Sequence, residues 1–401
     1  MCRRWPTCWL IWIQFSERRE PDCVFMKKSL VALSACLMSL ASAADAADPL
    51  VFVSAFAGGD AGAIHAYRLN LKTGALQPAH RATDVEHPFF LALSPDKKFL
   101  YSIHAEQFGG KENEEVAAYA VDRGSGRLKL LNRQSALGTA SCFLEVDATG
   151  KTVLLANYST GSVAALPVKS DGSLAKAASF VQHAGSSVDP KRQKGPYAHA
   201  IIVSPDNRFA YAADLGIDKI LNYRLDAANS KLTPNAQPFV RTPPGAGPRH
   251  LTFHPNGRHL YVINELANSV TLFDQDAESG MLVERQTLST LPDDFEGVSH
   301  CADLKITPDG RFLYGTNRGH DSLAIYRLAK EGGMTRVGIE PSLGKGPQNL
   351  LITPDGGLLL CANMAGDNLA VFRIDQKTGG LKPVGEPIEL PKPSCIRWLG
   401  E

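Results

Sequence analysis

The chain has almost no charge imbalance and no concentrated run of basic residues. Its 42 Lys and Arg residues against 41 Asp and Glu residues leave a formal net charge of +1 over 401 residues. Nucleic-acid binding needs a dense positive surface that neutralises phosphates, so this pattern argues against a nucleic-acid partner. The sequence also lacks a low-complexity linker and a block of like charge.

Cysteine is scarce in the patterns that would give it a structural or catalytic task. There is no Cys-x-x-Cys and no Cys/His spacing typical of a zinc site, so no metal and no cofactor are expected. Four of the eight cysteines lie in the first 36 residues. The other four, which we predict to be buried thiols rather than disulfide partners, are Cys142, Cys301, Cys361 and Cys395.

Helical periodicity and a serine-nucleophile motif are also missing. No stretch after residue 48 repeats its apolar residues with a period of 3.6 over three turns, which excludes a helical core. No Gly-x-Ser-x-Gly occurs, so a serine hydrolase of the α/β type is not indicated.

What the sequence does contain is one phrase repeated about every 50 residues. Each copy is a Ser/Thr/His-Pro-Asx turn followed by a short apolar run that mostly ends in Tyr. The clear copies are 94–101, 204–211, 254–261, 307–314 and 353–360, and a degenerate copy covers 147–154. Each unit, such as 248–290, divides into four strand-length runs separated by turn residues. The sequence therefore predicts an all-β, seven-bladed β-propeller over residues 49–401.

The ring is expected to close through the C-terminus. The first unit lacks its opening strand, and residues 393–399 resemble the opening strand at 140–146. The last strand of the chain should therefore complete the first blade, which leaves only short, protected sheet edges.

Residues 1–48 are predicted to be a leader rather than part of the fold. Lys27 and Lys28 precede an apolar run over 29–40, and Ala41-Ser42-Ala43 is an A-x-A-like cleavage site. The apolar run is too short to span a bilayer. We interpret 26–43 as a signal peptide, 1–25 as the product of an upstream start codon, and the mature protein as a periplasmic monomer without a membrane span.

Two positions of the repeat unit depart from their equivalents in other blades. One lies six residues before the turn proline, at the start of the innermost strand, and holds His199 and Arg249. The other lies ten residues after that proline, at the end of the second strand, and holds Glu265 and Arg318. The two strands are antiparallel neighbours, so both positions fall at the same end of a blade and converge at one mouth of the central channel.

These four residues are candidate catalytic groups because the fold does not require them. A partly buried charge is costly unless it is paired, and each departure occurs in only one or two blades. Arginines can hold an anion or a developing oxyanion, while Glu265 and His199 can activate water and protonate a leaving alkoxide. An inter-blade ion pair with no catalytic task stays open at this stage.

The residues that surround these positions resemble the propeller-type lactonase family, which includes seven-bladed 6-phosphogluconolactonases and fungal carboxymuconate cyclase. The resemblance is carried by 183–199, 155–163, 213–219, 247–251 and 262–266, and it covers the chain from about residue 50 to its end. It implies that His199, Arg249, Glu265 and Arg318 form the active-site group. It also implies hydrolysis of a small sugar-derived lactone.

Further residues are expected to contact the substrate. Arg192 and Gln193 lie on the long segment that leads into His199, and His250 and His320 flank the candidate group. An exported enzyme would meet an unphosphorylated aldonolactone more readily than a phosphorylated one. A non-catalytic interaction platform and a muconate-type lactone cyclase are the alternative functions.

We expect cleavage of the leader between Ala43 and Ala44, because small residues precede this bond and a short apolar run ends just before it. The measurement is N-terminal sequencing of the protein recovered from a periplasmic extract. A product that retains Met1, or that is recovered only from the cytoplasm, would contradict this prediction.

Overall fold

The computed structural model describes residues 48–83, 85–104, 109–110 and 112–400. Residues 1–47 of the predicted leader lie outside the described residues. The described residues form seven antiparallel sheets, the blades of a β-propeller, and the two helices among them are single 3-10 turns, Gly59–Ala61 and Met364–Gly366. The predicted all-β, seven-bladed propeller is confirmed.

The first three blades contain strands β1 to β11 and β29. Blade 1 consists of β29 (Pro393–Trp398), β1 (Leu50–Ala55), β2 (Ala63–Leu69) and β3 (Leu76–Ala82). Blade 2 consists of β4 (Leu91–Leu93), β5 (Phe99–His104), β6 (Glu115–Val121) and β7 (Leu128–Ser135). Blade 3 consists of β8 (Ser141–Val146), β9 (Thr152–Asn157), β10 (Ser162–Pro167) and β11 (Ser179–Gln182).

The remaining four blades contain strands β12 to β28. Blade 4 consists of β12 (Ala198–Val203), β13 (Phe209–Asp214), β14 (Lys219–Asp226) and β15 (Lys231–Arg241). Blade 5 consists of β16 (Pro248–Phe253), β17 (His259–Asn264), β18 (Ser269–Gln275) and β19 (Leu282–Ser289). Blade 6 consists of β20 (His300–Ile306), β21 (Phe312–Arg318), β22 (Ser322–Leu328) and β23 (Met334–Pro341). Blade 7 consists of β24 (Pro347–Ile352), β25 (Leu358–Asn363), β26 (Asn368–Ile374), β27 (Leu381–Pro383) and β28 (Ile388–Glu389), and both β27 and β28 pair with β26.

The repeated phrase forms the turn between the first and second strand of a blade. In blade 4 the Ser204 hydroxyl donates to Asp206 Oδ1 at 2.5 Å and accepts from the Phe209 amide at 3.0 Å. Thr307 makes the same pair of contacts in blade 6, with Asp309 and Phe312. A short side chain that bonds the backbone within its own turn is the reason this phrase selects Ser or Thr and then Asp.

The tyrosine that ends the phrase joins neighbouring blades. The buried hydroxyl of Tyr211 in blade 4 donates to the carbonyl of Gly280 in blade 5 at 2.8 Å. Tyr101, Tyr261 and Tyr314 donate in the same way to a glycine carbonyl of the following blade. The repeated Tyr therefore buries its ring between two sheets while its hydroxyl keeps a partner.

The C-terminal strand closes the ring as predicted. Strand β29 pairs antiparallel with β1, from Val51 opposite Trp398 to Ala55 opposite Pro393. The Ile396 side chain is fully buried in an apolar cluster between blades 1 and 7. The Ile396 amide also donates to Asn349 Oδ1 of blade 7 at 2.8 Å, so closure includes a polar contact across the seam.

The cysteines that the structure describes are free and buried, as expected: Cys142, Cys301, Cys361 and Cys395. No helix among the described residues is both long and apolar enough to cross a bilayer.

We expect Ile396→Ala to lower the free energy of unfolding by about 2–5 kcal/mol, because it leaves a cavity in the closing seam. Val337→Ala on the outer strand β23 is the control, and its partly exposed side chain should matter by about 0.5 kcal/mol or less. Chemical denaturation of both variants measures the difference. Equal stability of the two would contradict the role of β29 in closing the ring.

Candidate active site

A β-bulge near the start of the innermost strand directs one side chain of several blades toward the central axis. In β8, β12, β16 and β24 the register skips one residue against the neighbouring strand. The skipped residues are Cys142, His199, Arg249 and Gln348. A bulge leaves the extra residue unpaired and re-aims its side chain. The first of the two sequence positions is therefore a bulge in these four blades, and its occupant differs from blade to blade.

The second position lies where the second strand of a blade ends at the same mouth. Glu265 follows β17 directly, and its amide donates to the Gly247 carbonyl at 2.7 Å. Arg318 is the last residue of β21. The residue before each of them is a buried Asn, and Asn317 bonds the Thr290 carbonyl and the Ser322 hydroxyl. The recurring Asn therefore fixes the turn, and the next residue is left to face the channel.

Glu265 is the centre of a cluster of three arginines. Arg192 Nη2 lies 2.5 Å from Glu265 Oε1, while Arg249 Nε and Arg318 Nη2 lie 3.0 Å and 2.8 Å from Oε2. The Glu265 residue is only 5% exposed and Arg249 only 1%. The structure thus brings together three of the four predicted catalytic residues and adds Arg192, which the sequence had placed among the substrate contacts.

The arginines outweigh the burial of the carboxylate. Burial raises the pKa of Glu265. The charges of Arg318 and Arg249 and the hydrogen bond from Arg192 lower it by more than burial raises it, so the pKa lies well below the ordinary value of 4.5. Burial lowers the pKa of Arg249 to about 10, helped by the charge of Arg318. At neutral pH the cluster therefore contains one negative and three positive charges, an excess of two positive charges.

The cluster lies in a pocket with a volume of about 800 Å³. Of the cluster residues, Arg192, Glu265 and Arg318 line this pocket. Sequence reasoning had missed several lining residues that carry chemistry, among them His300 and Gln348. Gln348 Oε1 accepts from Arg318 Nη1 at 3.4 Å, and burial lowers the pKa of His300 below 6.5. His300 is therefore a neutral imidazole inside the pocket at neutral pH.

Two lysines at the pocket add to the positive charge. Lys345 and Lys392 line it from the loops that precede β24 and β29. Among the described residues, Asp321 is the other acidic residue that lines the pocket. Its Oδ1 accepts from the amides of Gly319 and Gly346 at 3.1 Å and 2.8 Å. The pocket is therefore suited to a substrate, intermediate or product with negative charge.

His199 lies beside the pocket rather than among its lining residues. Its ring contacts the rings of Tyr158 and His250 edge to face, with 5.4 Å between the ring centroids in each case, and its Nδ1 lies 3.5 Å from Cys142 Sγ. Burial lowers the pKa of His199 well below 6.5, and the Arg249 charge lowers it further. The ring is therefore neutral, and the predicted role of His199 as a proton carrier stays a prediction.

The other three predicted substrate contacts are engaged elsewhere. Gln193 is fully buried and its Nε2 donates to Asp218 Oδ1 at 2.7 Å, so it holds the loop that presents Arg192. His250 lies behind Arg249, with its Nδ1 2.9 Å from Asp303 Oδ1. His320 Nδ1 lies 2.6 Å from the Ser322 hydroxyl. None of these three is among the residues that line the described pocket.

Aromatic rings fill the channel behind the cluster. The ring centroids of Phe90 in blade 2 and Phe143 in blade 3 lie 5.8 Å and 5.2 Å from that of His250 in blade 5. The two phenylalanine centroids are 4.5 Å apart. These contacts cross the axis, since the blades stand on different sides of the ring. The aromatic cluster therefore forms a floor under Arg249, and all of its members are buried. Among the described residues, no group of three His, Cys, Asp or Glu is placed to hold a metal ion.

The fold and this cluster define a propeller with an anion-binding pocket at one mouth of its channel. The sequence profile of the family described as "Lactonase, 7-bladed beta-propeller" matches residues 50–398. The chain therefore belongs to the seven-bladed β-propeller lactonase family.

Individual relatives agree with this assignment. The 6-phosphogluconolactonase of Bacillus subtilis is 35% identical over 353 residues, which are 87% of this chain and 97% of the relative. A protein of the same name from Formosa agariphila is 32% identical over 291 residues, 71% of this chain and 81% of its own length. The structure of the periplasmic gluconolactonase of Pseudomonas aeruginosa superposes with a TM-score of 0.82 at 32% identity, covering 87% of this chain and 98% of that one.

The depressed pKa of Glu265 predicts how acid acts on stability. Ionised Glu265 contributes its full stabilisation of the folded state above pH 4.5, the ordinary pKa of a glutamate. This contribution declines as the pH falls below 4.5, because the unfolded chain then binds the proton first. Urea denaturation between pH 7 and pH 3 should show Glu265→Gln less stable than the wild type, with a gap that narrows below about pH 4.5. The exposed Glu284→Gln is the matched control and should change stability little. A gap that widens in acid would contradict the charge arrangement.

Proposed function

We propose that this protein hydrolyses the lactone of a sugar acid in the pocket above Glu265. The observation that carries the proposal is a single carboxylate held by Arg192, Arg249 and Arg318 at the mouth of the channel, with two positive charges in excess. Attack of water on a lactone carbonyl generates an oxyanion and then a carboxylate. A fixed surplus of guanidinium groups stabilises both of them.

In this proposal Arg192 and Arg318 hold the lactone carbonyl oxygen, because they are the two arginines of the cluster that line the pocket. Water attacks the carbonyl carbon, the bond to the ring oxygen breaks, and the ring oxygen takes up a proton to become a hydroxyl. The developing negative charge interacts more strongly with these donors than with water, since Arg192 and Arg318 are half-buried beside the buried Glu265 and Arg249.

Glu265 orients the attacking water rather than acting as a strong base. A carboxylate has about four acceptor sites. Its Oε2 accepts from Arg249 and lies 2.8 Å from Arg318 Nη2, and its Oε1 accepts from Arg192, which leaves one acceptor site on Oε1. The low pKa keeps Glu265 ionised, so it can fix a water or a substrate hydroxyl by a charge-assisted hydrogen bond.

A neutral imidazole takes up a proton from the attacking water and then passes it to the ring oxygen as the bond to the carbonyl carbon breaks, and among the described residues His300 is the histidine that lines the pocket. Its pKa is lowered by burial, so the ring is unprotonated and available as an acceptor at neutral pH. His199 remains the second candidate, through a rearrangement of Tyr158, whose ring lies against it.

The substrate proposed is an unphosphorylated aldonolactone such as gluconolactone. The predicted signal peptide favours an exported enzyme, and the similar protein from Pseudomonas aeruginosa is named a periplasmic gluconolactonase. The relative from Bacillus subtilis is named a 6-phosphogluconolactonase, which makes the phosphorylated lactone the comparison to test.

The purified chain from Ala44 onward should open glucono-δ-lactone faster than the spontaneous reaction, measured as proton release. Parallel assays with 6-phosphogluconolactone and muconolactone identify the preferred substrate. Glu265→Gln should lower turnover per folded molecule by roughly 100-fold or more, the scale of a lost acid–base or water-orienting group. Glu284→Gln, on the exposed outer strand β19, should retain full turnover.

Two results would contradict the proposal. If the wild type opens none of the three lactones, the chain is not a lactonase for these substrates. If Glu265→Gln is less stable but keeps wild-type turnover per folded molecule, the cluster is an ion-pair network that supports the fold.

A further inference from the structure

A hydrogen-bonded chain runs from the cluster into the floor of the pocket. Arg249, which donates from Nε to Glu265, places its Nη1 3.2 Å from His250 Nε2. His250 Nδ1 in turn lies 2.9 Å from Asp303 Oδ1. The chain therefore passes from Glu265 through Arg249 and His250 to Asp303, and every member is at most 5% exposed.

The donors and acceptors of this chain can be arranged in only one way. A guanidinium group has only donors, so His250 Nε2 must accept from Arg249 Nη1. A neutral imidazole has one donor and one acceptor, so the proton lies on Nδ1 and is donated to Asp303. Burial lowers the pKa of His250 to about 3, with the Arg249 charge as the next cause, and the ring is neutral.

Asp303 is held where it can act only as an acceptor. Burial raises its pKa, but Lys305 and His250 more than offset this, so the pKa lies well below 3.8. Its Oδ2 accepts from Asn349 Nδ2 at 2.7 Å and from the Leu350 amide at 2.9 Å, and Lys305 Nζ lies 2.9 Å from both oxygens. These contacts come from blades 6 and 7, whereas His250 belongs to blade 5.

We propose that Asp303 and His250 are positioning residues that fix the histidine tautomer and thereby orient Arg249 against Glu265. This inference rests on the proposed lactonase function for its kinetic consequence, although the tautomer can be observed without it. Arg249 is too deep to line the pocket, so its task is to hold Glu265 rather than the substrate. The Asp303–His250 pair determines which way its guanidinium plane faces.

The kinetic experiment compares two substitutions that remove the same ring. In His250→Gln the longer amide reaches the site of Nε2, and its oxygen can accept from Arg249. In His250→Asn the amide reaches only the site of Nδ1, donates to Asp303 and leaves Arg249 without its acceptor. We expect kcat per folded molecule to fall about tenfold or more in His250→Asn, with KM nearly unchanged, and substantially less in His250→Gln.

A third variant acts on the tautomer alone. In Asp303→Asn the amide donates to His250 Nδ1, which moves the ring proton to Nε2 and turns it against the Arg249 donor. We expect kcat to fall at least as far as in His250→Asn. His259→Gln is the matched control, because His259 in the same blade makes a similar contact with Asp274, at 3.0 Å, away from the pocket. It should lower stability without changing kcat.

The spectroscopic experiment does not depend on activity. Long-range 1H–15N correlation spectra of the histidine-labelled protein at neutral pH should show His250, identified by its loss in His250→Gln, with the proton on Nδ1. The Asp303→Asn spectrum should show the proton on Nε2.

The outcomes separate this inference from the proposed function. A wild-type His250 protonated on Nε2, or a folded Asp303→Asn variant with wild-type kcat, would overturn the inference. An equal loss of kcat in His250→Gln and His250→Asn would assign the effect to ring packing and would also overturn it. A wild type that is inactive on every lactone but has the expected tautomers would overturn the proposed function and leave the positioning of Arg249 standing.

Discussion

Ring closure is the constraint on which the rest of this structure depends. A propeller blade exposes unpaired backbone groups at its inner edge unless its neighbours stand close enough to shield them. Here the last strand, β29, completes the first blade, and each repeated Tyr ties one sheet to the next. A closed ring brings the starts of the innermost strands together at one mouth of the axis. Residues far apart in sequence, such as Arg192 and Arg318, therefore share one carboxylate.

Other blades make the same connection without an equivalent of that carboxylate. In three other blades the position equivalent to Glu265 holds Tyr158, Leu215 and Met364, and each of these amides, like that of Glu265, donates to the carbonyl of the residue just before the innermost strand. Burying Glu265 and Arg249, and half-burying Arg192 and Arg318, carries a desolvation cost that apolar residues would avoid. A cost that the architecture does not require is typical of a site that binds or transforms a charged ligand. The cluster is for this reason a better guide to function than the propeller fold, which is shared by many unrelated activities.

The sequence predicted the architecture because the repeat states it several times, and each copy contains its own turn chemistry. It also predicted at which end of the blades the charged residues meet, since an antiparallel pair puts the start of one strand beside the end of the next. Depth along the axis could not be predicted in this way. The register does not reveal that His250 points behind Arg249, or that Gln193 turns into its own loop to bond Asp218. His300 lies just outside the aligned positions, and Asp303 is placed by a wider bulge in β20, so neither stood out.

The aromatic floor and the pocket lie at different depths of the channel, and this bears on how a product would leave. Phe90, Phe143 and His250 are buried and contact one another across the ring, whereas Arg192 and Arg318 line the pocket at the mouth. In the proposed reaction, the ring-opened sugar acid carries a negative charge that gluconolactone lacks, and it would leave against the attraction of the surplus guanidinium groups. Newly formed acid and incoming lactone would therefore compete for the same pocket. The rate at which the acid is released becomes a property of the same charges that would speed its formation.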